Sequence, residues 1–221
     1  LERVFGFDLA PWLSLLLTLL WLVTCANVVN LFDGMDGLAS GLSMFTALAL
    51  LAIAGYQGKA EVAVVAAALG GACLGFLLFN FPPAVIFLGD TGSLFLGMML
   101  GVLAIEGSFK SHVAFALVVP VIALGLPITD TLLAVLRRMG RRVSVFSADK
   151  DHIHHRLVAY GFTRRQALIV LYGLSVVLAS LSLLIAFLGN LAAGALIVAG
   201  GLVIALVARF LGAGDLQEFG F

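Results

Sequence analysis

Three groups of polar residues interrupt this chain, and their side chains are those that serve phosphate and cation chemistry. The first group combines amides with carboxylates, the second places an aspartate in a turn rich in proline and glycine, and the third is a histidine cluster followed by arginine. Their members are Asn27, Asn30, Asp33 and Asp36; Asn80, Phe87 and Asp90; and His152, His154, His155 and Arg156. A charge at the centre of a bilayer costs about 2.5–3.5 kcal/mol, so polar residues in an apolar chain indicate function.

The first group ends an apolar run. Asn27, Asn30 and Asp33 are spaced by three residues, and they share one face if the helix continues through them. Carboxylates with amides suit a metal-bound polar ligand, or the donor groups of a nucleobase and its ribose. The structural alternative is a solvated helix end that Asx side chains cap.

The second group follows a break in the helical pattern. Pro82 and Pro83 favour an extended connection, and Asp90 then lies at the start of the next helix, where backbone N–H groups favour anions. A carboxylate there can hold Mg²⁺ while the amides face phosphate oxygens. The structural alternative is that Asp90 caps the helix. Phe87 is of a type that is ordinarily buried, but beside a nucleotide site an aromatic ring can stack on a base.

The third group offers imidazoles beside a guanidinium, which can bind a diphosphate or ligate a transition metal. The spacing is only His-x-His and no cysteine lies nearby, which disfavours a zinc site. We also expect Asp130 to pair with one of the arginines that follow it in the chain.

The elements that carry these groups must be membrane-spanning helices. The chain is 62% hydrophobic and only 11% charged, with a mean hydropathy of +1.18. This excludes an ordinary soluble domain and predicts an all-α, polytopic transmembrane helix bundle, forming one integral membrane domain over residues 1–221. About seven spans are predicted, at residues 9–29, 38–56, 62–79, 92–106, 113–136, 166–188 and 191–209. The formal net charge is zero and gives no indication of nucleic-acid binding.

The distribution of charge predicts the topology. Eight of the 12 basic residues lie within residues 137–165, and the positive-inside rule places this basic loop in the cytoplasm. Even numbers of predicted spans separate the three polar groups. We therefore predict that all three lie together on the cytoplasmic face of the membrane.

These motifs together resemble the polyprenyl-phosphate N-acetylhexosamine-1-phosphate transferases, glycosyltransferase family 4. The order His152-Ile-His154-His155 is more similar to the undecaprenyl-phosphate GlcNAc-1-phosphate transferase branch than to the phospho-MurNAc-pentapeptide translocase. The resemblance implies transfer of a sugar-1-phosphate, here GlcNAc-1-phosphate, from a UDP-sugar to undecaprenyl phosphate with release of UMP. That reaction is the first membrane step of cell-envelope glycan synthesis, such as that of lipopolysaccharide or teichoic acid, and the resemblance places it in the bacterial inner membrane.

The resemblance also implies roles for individual residues. Asp90 would ligate Mg²⁺, with Mn²⁺ as the alternative cation. The catalytic residues would be Asp33, Asp36, Asp90, His152, His154 and His155. The residues that bind substrate would be Asn27, Asn30, Asn80, Phe87 and Arg156. The implied partners are a UDP-N-acetylhexosamine, undecaprenyl phosphate and the lipid bilayer. Whether the protein forms a homodimer is left open by the resemblance.

One departure from the family stands out. The family also has a cytoplasmic Asp-Asp pair near its N-terminus, and nothing before Asn27 matches it. We therefore expect about four of the family's roughly eleven helices to be missing from this sequence, and this chain alone to be inactive. Two other functions were weighed: an intramembrane aspartyl protease using Asp90 and Asp130, and an ion- or proton-coupled transporter. A protease pair should lie buried within the spans, whereas Asp90 lies in a surface turn rich in proline and glycine. The acids at one membrane face and the lack of an internal repeat disfavour the transporter.

Overall fold

The computed structural model describes residues 3–4, 7–8, 10–107, 124–125, 128–131, 135, 153–188 and 199–202. A short antiparallel pairing of β1 (Arg3–Val4) with β2 (Phe7–Asp8) precedes the helices. The helices with described bounds are α1 (Pro11–Phe32), α2 (Leu38–Tyr56), α3 (Ala60–Asn80), α4 (Gly89–Glu106), α5 (Ile153–Ala159) and α6 (Arg164–Leu188).

Five of these helices, α1 to α4 and α6, are long and apolar enough to cross a membrane. A span needs about 20 residues to cross a hydrocarbon core about 30 Å thick, and these helices have 18 to 25. The predicted helical membrane bundle is therefore confirmed, and the chain is a multi-pass membrane protein. The other two predicted spans, 113–136 and 191–209, lie mostly outside the described residues.

Helix α2 is the centre of the bundle. In its most apolar stretch 67% of the residues are buried, against 22% in α1. Its buried face is rich in small side chains, which let neighbouring helices approach closely where lipid is as apolar as the protein interior. Those residues are Ala39, Ser40, Gly41, Ser43, Thr46, Ala47, Ala49 and Ala54. Large apolar side chains such as Leu16, Leu20, Leu74 and Leu78 are exposed on the outer helices, as expected of a surface that faces lipid.

Helices α1 and α4 cross at two glycines. A Cβ atom on Gly97 would lie 2.3 Å from the carbonyl oxygen of Cys25, and one on Gly101 would lie 3.1 Å from the Cβ of Cys25. Trp21 adds an interhelical hydrogen bond, donating from Nε1 to the carbonyl oxygen of Gly101 at 3.0 Å. This close crossing aligns the end of α1 with the start of α4.

The connections between helices gather at two ends of the bundle. At one end, Lys59 before α3 donates to the carbonyl oxygen of Glu106 at the end of α4, at 2.6 Å. At the opposite end lie residues 33–37, between α1 and α2, and residues 81–88, between α3 and α4, and both contact the first turns of α6. We call residues 33–37 the acidic loop and residues 81–88 the proline loop.

Candidate active site

The first two polar groups meet at the loop end of the bundle. Helix α1 extends to Phe32, beyond the predicted end at residue 29, so Asn27 and Asn30 are helical and Asp33 is the residue that ends the helix. Asp36 lies in the acidic loop, and Asp90 lies in the first turn of α4. The predicted placement of these two groups on one face is therefore confirmed for the described residues.

Asn30 joins α1 to the start of α4. Its Nδ2 donates to Oδ1 of Asp90 at 3.2 Å and to Oγ of Ser93 at 2.9 Å. Ser93 is fully buried and donates in turn to the carbonyl oxygen of Gly89 at 3.1 Å. The start of α4 has no side-chain capping hydrogen bond, so the alternative in which Asp90 serves as a helix cap is wrong. Its carboxylate is instead oriented by an amide 60 residues away in the chain.

Asn80 ties the acidic loop to the proline loop. Its Oδ1 accepts hydrogen bonds from the N–H of Gly37 at 3.0 Å and from Oγ of Ser40 at 2.9 Å, and its Nδ2 donates to the carbonyl oxygen of Ile86 at 2.9 Å. The side chain is only 5% exposed. Asn80 therefore holds the two loops together, and its predicted contact with substrate stays a prediction.

Asp36 makes a second link between the loops. Its Oδ2 accepts a hydrogen bond from the N–H of Ala84 at 3.2 Å. The acidic loop is therefore not a solvated helix end with local Asx caps, because its amide and carboxylate partners come from another part of the chain. Asn27 differs in this respect, since it is exposed and donates to the carbonyl oxygen of Val23 in its own helix at 2.7 Å.

Asp33 carries the electrostatic signature of the site. Partial burial, together with the neighbouring carboxylates of Asp90 and Asp36, raises its pKa from 3.8 to about 6. Among the described residues no lysine, arginine or histidine forms an ion pair with these three acids. Their mutual repulsion is thus left without a counter-charge from the described part of the protein.

This donor set fits a hard divalent cation. Mg²⁺ is commonly held by one or two carboxylates together with water and substrate phosphates, and Asp90 and Asp33 offer such oxygens beside an exposed surface. No cluster of three or more His, Cys, Asp or Glu side chains with metal-binding geometry occurs among the described residues.

Phe87 lies in the proline loop three residues before Asp90, and 70% of its side-chain surface is exposed. It is not a core residue, although its type would ordinarily be buried. Because the neighbouring Val85 and Ile86 are exposed as well, the loop presents an apolar rim beside the acids. An aromatic face in that position is available to stack on a planar ligand.

The histidine motif lies partly within the described residues. His154, His155 and Arg156 belong to helix α5, with His155 exposed and Arg156 half-buried, while His152 and the side chain of His154 lie outside the described residues. Ile153 and Leu157 of α5 belong to the buried cluster that also contains Phe32, Met35 and Leu38 beside the acidic loop. Only residues 160–163 separate α5 from α6, and Arg165 in the first turn of α6 contacts the proline loop, so α5 lies at the same end of the bundle as the acids.

Asp130 anchors the start of this helix. It is 1% exposed and accepts a hydrogen bond from the N–H of Ile153 at 2.9 Å. The arginines of residues 137–142, with which it was expected to pair, lie outside the described residues. A carboxylate at this position satisfies an N–H group that the first helical turn leaves free.

Four residues of the site were missed from the sequence. Ser40, Ser93, Arg165 and Tyr172 all form hydrogen bonds that position the loops or the acids. Tyr172 lies within an apolar span, where its hydroxyl needs a partner, and that requirement is a usable signal. Arg165 gives no such signal, because it lies in a basic stretch typical of a membrane surface.

Comparison with known proteins identifies the same family that the motifs resemble. Residues 1–108 match the model of the family described as glycosyl transferase family 4. The chain is 44% identical over 163 residues to a probable undecaprenyl-phosphate N-acetylglucosaminyl 1-phosphate transferase of Bacillus subtilis, covering 73% of this chain and 45% of that protein.

Two further relatives carry different names. A decaprenyl-phosphate N-acetylglucosaminephosphotransferase of Mycolicibacterium smegmatis is 40% identical over 72% of this chain and 44% of its own length. A phospho-N-acetylmuramoyl-pentapeptide-transferase of Moorella thermoacetica is 39% identical over 76% of this chain and 51% of its own length. The chain thus spans about half the length of the curated relatives it matches.

Proposed function

Residues 1–108 of the chain belong to glycosyl transferase family 4, and from this premise we propose that the protein transfers GlcNAc-1-phosphate from a UDP-sugar to a polyprenyl phosphate. The predicted resemblance is confirmed, including the higher identity to a GlcNAc-1-phosphate transferase than to a pentapeptide transferase. The relatives reported above are all named as transferases, which gives the transporter alternative no support.

The observation that carries the proposal is the convergence of Asp33, Asp36 and Asp90 beside the exposed ring of Phe87. Among the described residues no basic side chain forms an ion pair with these acids, and Phe87 in the neighbouring loop is exposed and offers a stacking surface. A uridine diphosphate sugar needs both features, because its diphosphate binds through a cation and its base through stacking.

In the proposed reaction the phosphate oxygen of the lipid attacks the β-phosphorus of the UDP-sugar. The bond from that phosphorus to the bridging oxygen breaks, and UMP leaves. Asp90, with Asp33 beside it, would hold Mg²⁺, or Mn²⁺ as the alternative. The bound cation supplies positive charge to the diphosphate oxygens. A route through an aspartyl-phosphate intermediate is the alternative to direct displacement.

The remaining residues orient the substrates. Asn30 holds the carboxylate of Asp90 by its hydrogen bond, and Phe87 stacks on the uracil. The proposal assigns His152, His154, His155 and Arg156 to the diphosphate, where positive charge stabilises the charge that develops on the leaving oxygen. Asn27 and Asn80 complete the predicted substrate-binding set. The site faces the cytoplasm in this proposal, because the basic stretch at residues 137–165 favours that side.

Replacing Asp90 by asparagine tests the proposal. We expect Asp90→Asn in the complete encoded protein to lower Mg²⁺-dependent release of UMP at least about 100-fold, because a charged ligand of the cation that binds the diphosphate is lost. The matched control is Glu61→Gln, which removes an exposed acid near the opposite end of the bundle. Full activity in Asp90→Asn would refute the assignment.

A further inference from the structure

Helix α6 contributes two side chains that hold both loops of the candidate site. Arg165, in its first turn, donates from Nε to the carbonyl oxygen of Pro82 at 2.9 Å. Tyr172 donates from its hydroxyl to the carbonyl oxygen of Gly37. The two residues are seven positions apart, which is about two turns, so they lie on the same side of α6. One helix thus contacts the acidic loop and the proline loop at the same time.

The two loops are also joined to each other, which closes a ring of contacts. Asn80 accepts the N–H of Gly37, and Asp36 accepts the N–H of Ala84. Starting from α6, the ring runs through Gly37 and Asn80 to Pro82 and returns to α6 at Arg165. A closed set of this kind fixes the separation of the loops more firmly than any one hydrogen bond would.

The ring of Tyr172 packs independently of its hydroxyl. It lies edge-on to Phe45, with 5.3 Å between ring centroids, and it covers Gly41, where a Cβ atom would lie 2.2 Å from the ring carbon Cζ. A phenylalanine would keep this packing and lose only the hydrogen bond to Gly37. The hydroxyl can therefore be tested apart from the core.

We propose that Arg165 and Tyr172 are positioning residues, which hold the proline loop and the acidic loop at the separation that the cation and the uridine nucleotide require. Neither residue has to touch the substrate for this role. Tyr172 acts on the loop that carries Asp33 and Asp36, and Arg165 acts on the loop that carries Phe87. This inference rests on the proposed function. It relates the contact of Tyr172 to binding of the cation and the contact of Arg165 to binding of the uridine nucleotide.

The test compares Tyr172→Phe and Arg165→Gln with the matched controls Tyr160→Phe and Arg164→Gln in the complete encoded protein. Tyr160 and Arg164 are both exposed. Their substitutions make the same chemical changes as the test variants, at Arg164 within α6 and at Tyr160 a few residues before it. The measurements are the melting temperature during Mg²⁺ titration, and KM and kcat for UDP-GlcNAc.

We expect Tyr172→Phe to raise the Mg²⁺ concentration that gives half of the maximal stabilisation by about 3–10-fold, the effect of losing one hydrogen bond. Arg165→Gln should raise KM for UDP-GlcNAc by a similar factor of about 3–10, with kcat within about twofold of the wild type. Arg165→Lys, which keeps a donor on a long side chain, should restore part of the loss in KM. Both controls should match the wild type.

Unchanged Mg²⁺ and substrate dependence in both variants would overturn the inference. So would a fall in kcat alone, because that result indicates a smaller folded fraction rather than displaced loops. The Mg²⁺ titration needs no turnover, so it tests the role of Tyr172 even if the wild type releases no UMP. A wild type without UMP release would count against the proposed function instead.

Discussion

At the scale of single residues, Asp33 shows most clearly how the site differs from an ordinary helix end. It lies where α1 stops, partly removed from water and close to two other carboxylates, and its pKa is raised to about 6 for these reasons. At neutral pH the ionised group therefore opposes folding.

This environment makes Asp33→Asn a stabilising substitution. The pKa is 3.8 in the unfolded chain and about 6 in the fold, so the wild-type carboxyl contributes stability below pH 3.8 and loses it as the pH rises through about 6. We expect a gain of about 1 kcal/mol at neutral to alkaline pH without Mg²⁺, a value reduced for solvent screening of a partly exposed group. The measurement is thermal unfolding in detergent.

The gain should shrink as the pH is lowered from about 7 towards 4, because the wild-type carboxyl then takes up its proton. Glu61→Gln serves as the control, since that acid is exposed and should show no such trend. An Asp33→Asn protein that is less stable than the wild type at neutral pH, or whose gain is independent of pH, would contradict the electrostatic account.

At the scale of elements, the crossing of α1 and α4 decides whether Asn30 reaches Asp90. Gly97 permits the crossing, because any side chain there would meet the backbone of Cys25. Gly97 and Gly101 form a small-xxx-small pattern, which is typical of closely packed membrane helices. The pattern predicts a close contact but does not identify the partner helix.

We expect Gly97→Ala to destabilise the protein by about 1–3 kcal/mol, the usual cost of overpacking. It should also lower transferase activity, because α1 moves away and the hydrogen bond from Asn30 to Asp90 is lost. Thermal unfolding and UMP release measure the two effects. Gly75→Ala in α3 is the matched control: a Cβ atom there would meet nothing within 4 Å, so it should be neutral or slightly stabilising.

Equal behaviour of the Gly97 and Gly75 variants would contradict the crossing as described. The two positions differ in a way that the sequence does not reveal, since both are glycines in apolar helices.

Hydropathy predicted the five described spans, because a run of about 20 apolar residues has few alternatives to a spanning helix. It could not predict which helices are neighbours, because lipid and protein interior are equally apolar.

The same limit applies within the site. Asn30, Asp33, Asp36, Asn80 and Asp90 could be selected as a group, since each is polar in an apolar setting. Their partners could not, because the hydrogen bonds from Asn30 to Asp90 and from Tyr172 to Gly37 join residues 60 and 135 positions apart. The structural roles of Asn80 and Asp130 likewise depend on contacts that only the packed bundle creates.

At the scale of the whole molecule, the described part of the bundle brings the acidic loop and the start of α4 together at one end. The acidic loop, the proline loop and α5 are all anchored there, and α6 contacts both loops. The chain spans about half the length of its curated relatives.

The most direct test of the central claim is a turnover assay with the complete encoded protein in lipid vesicles, measuring UMP and the lipid product together. We predict that UMP forms only when UDP-GlcNAc, undecaprenyl phosphate and Mg²⁺ are all present, in a one-to-one ratio with a lipid carrying GlcNAc through a diphosphate. UMP formed equally well without the lipid phosphate, or no UMP with all three present, would contradict the account.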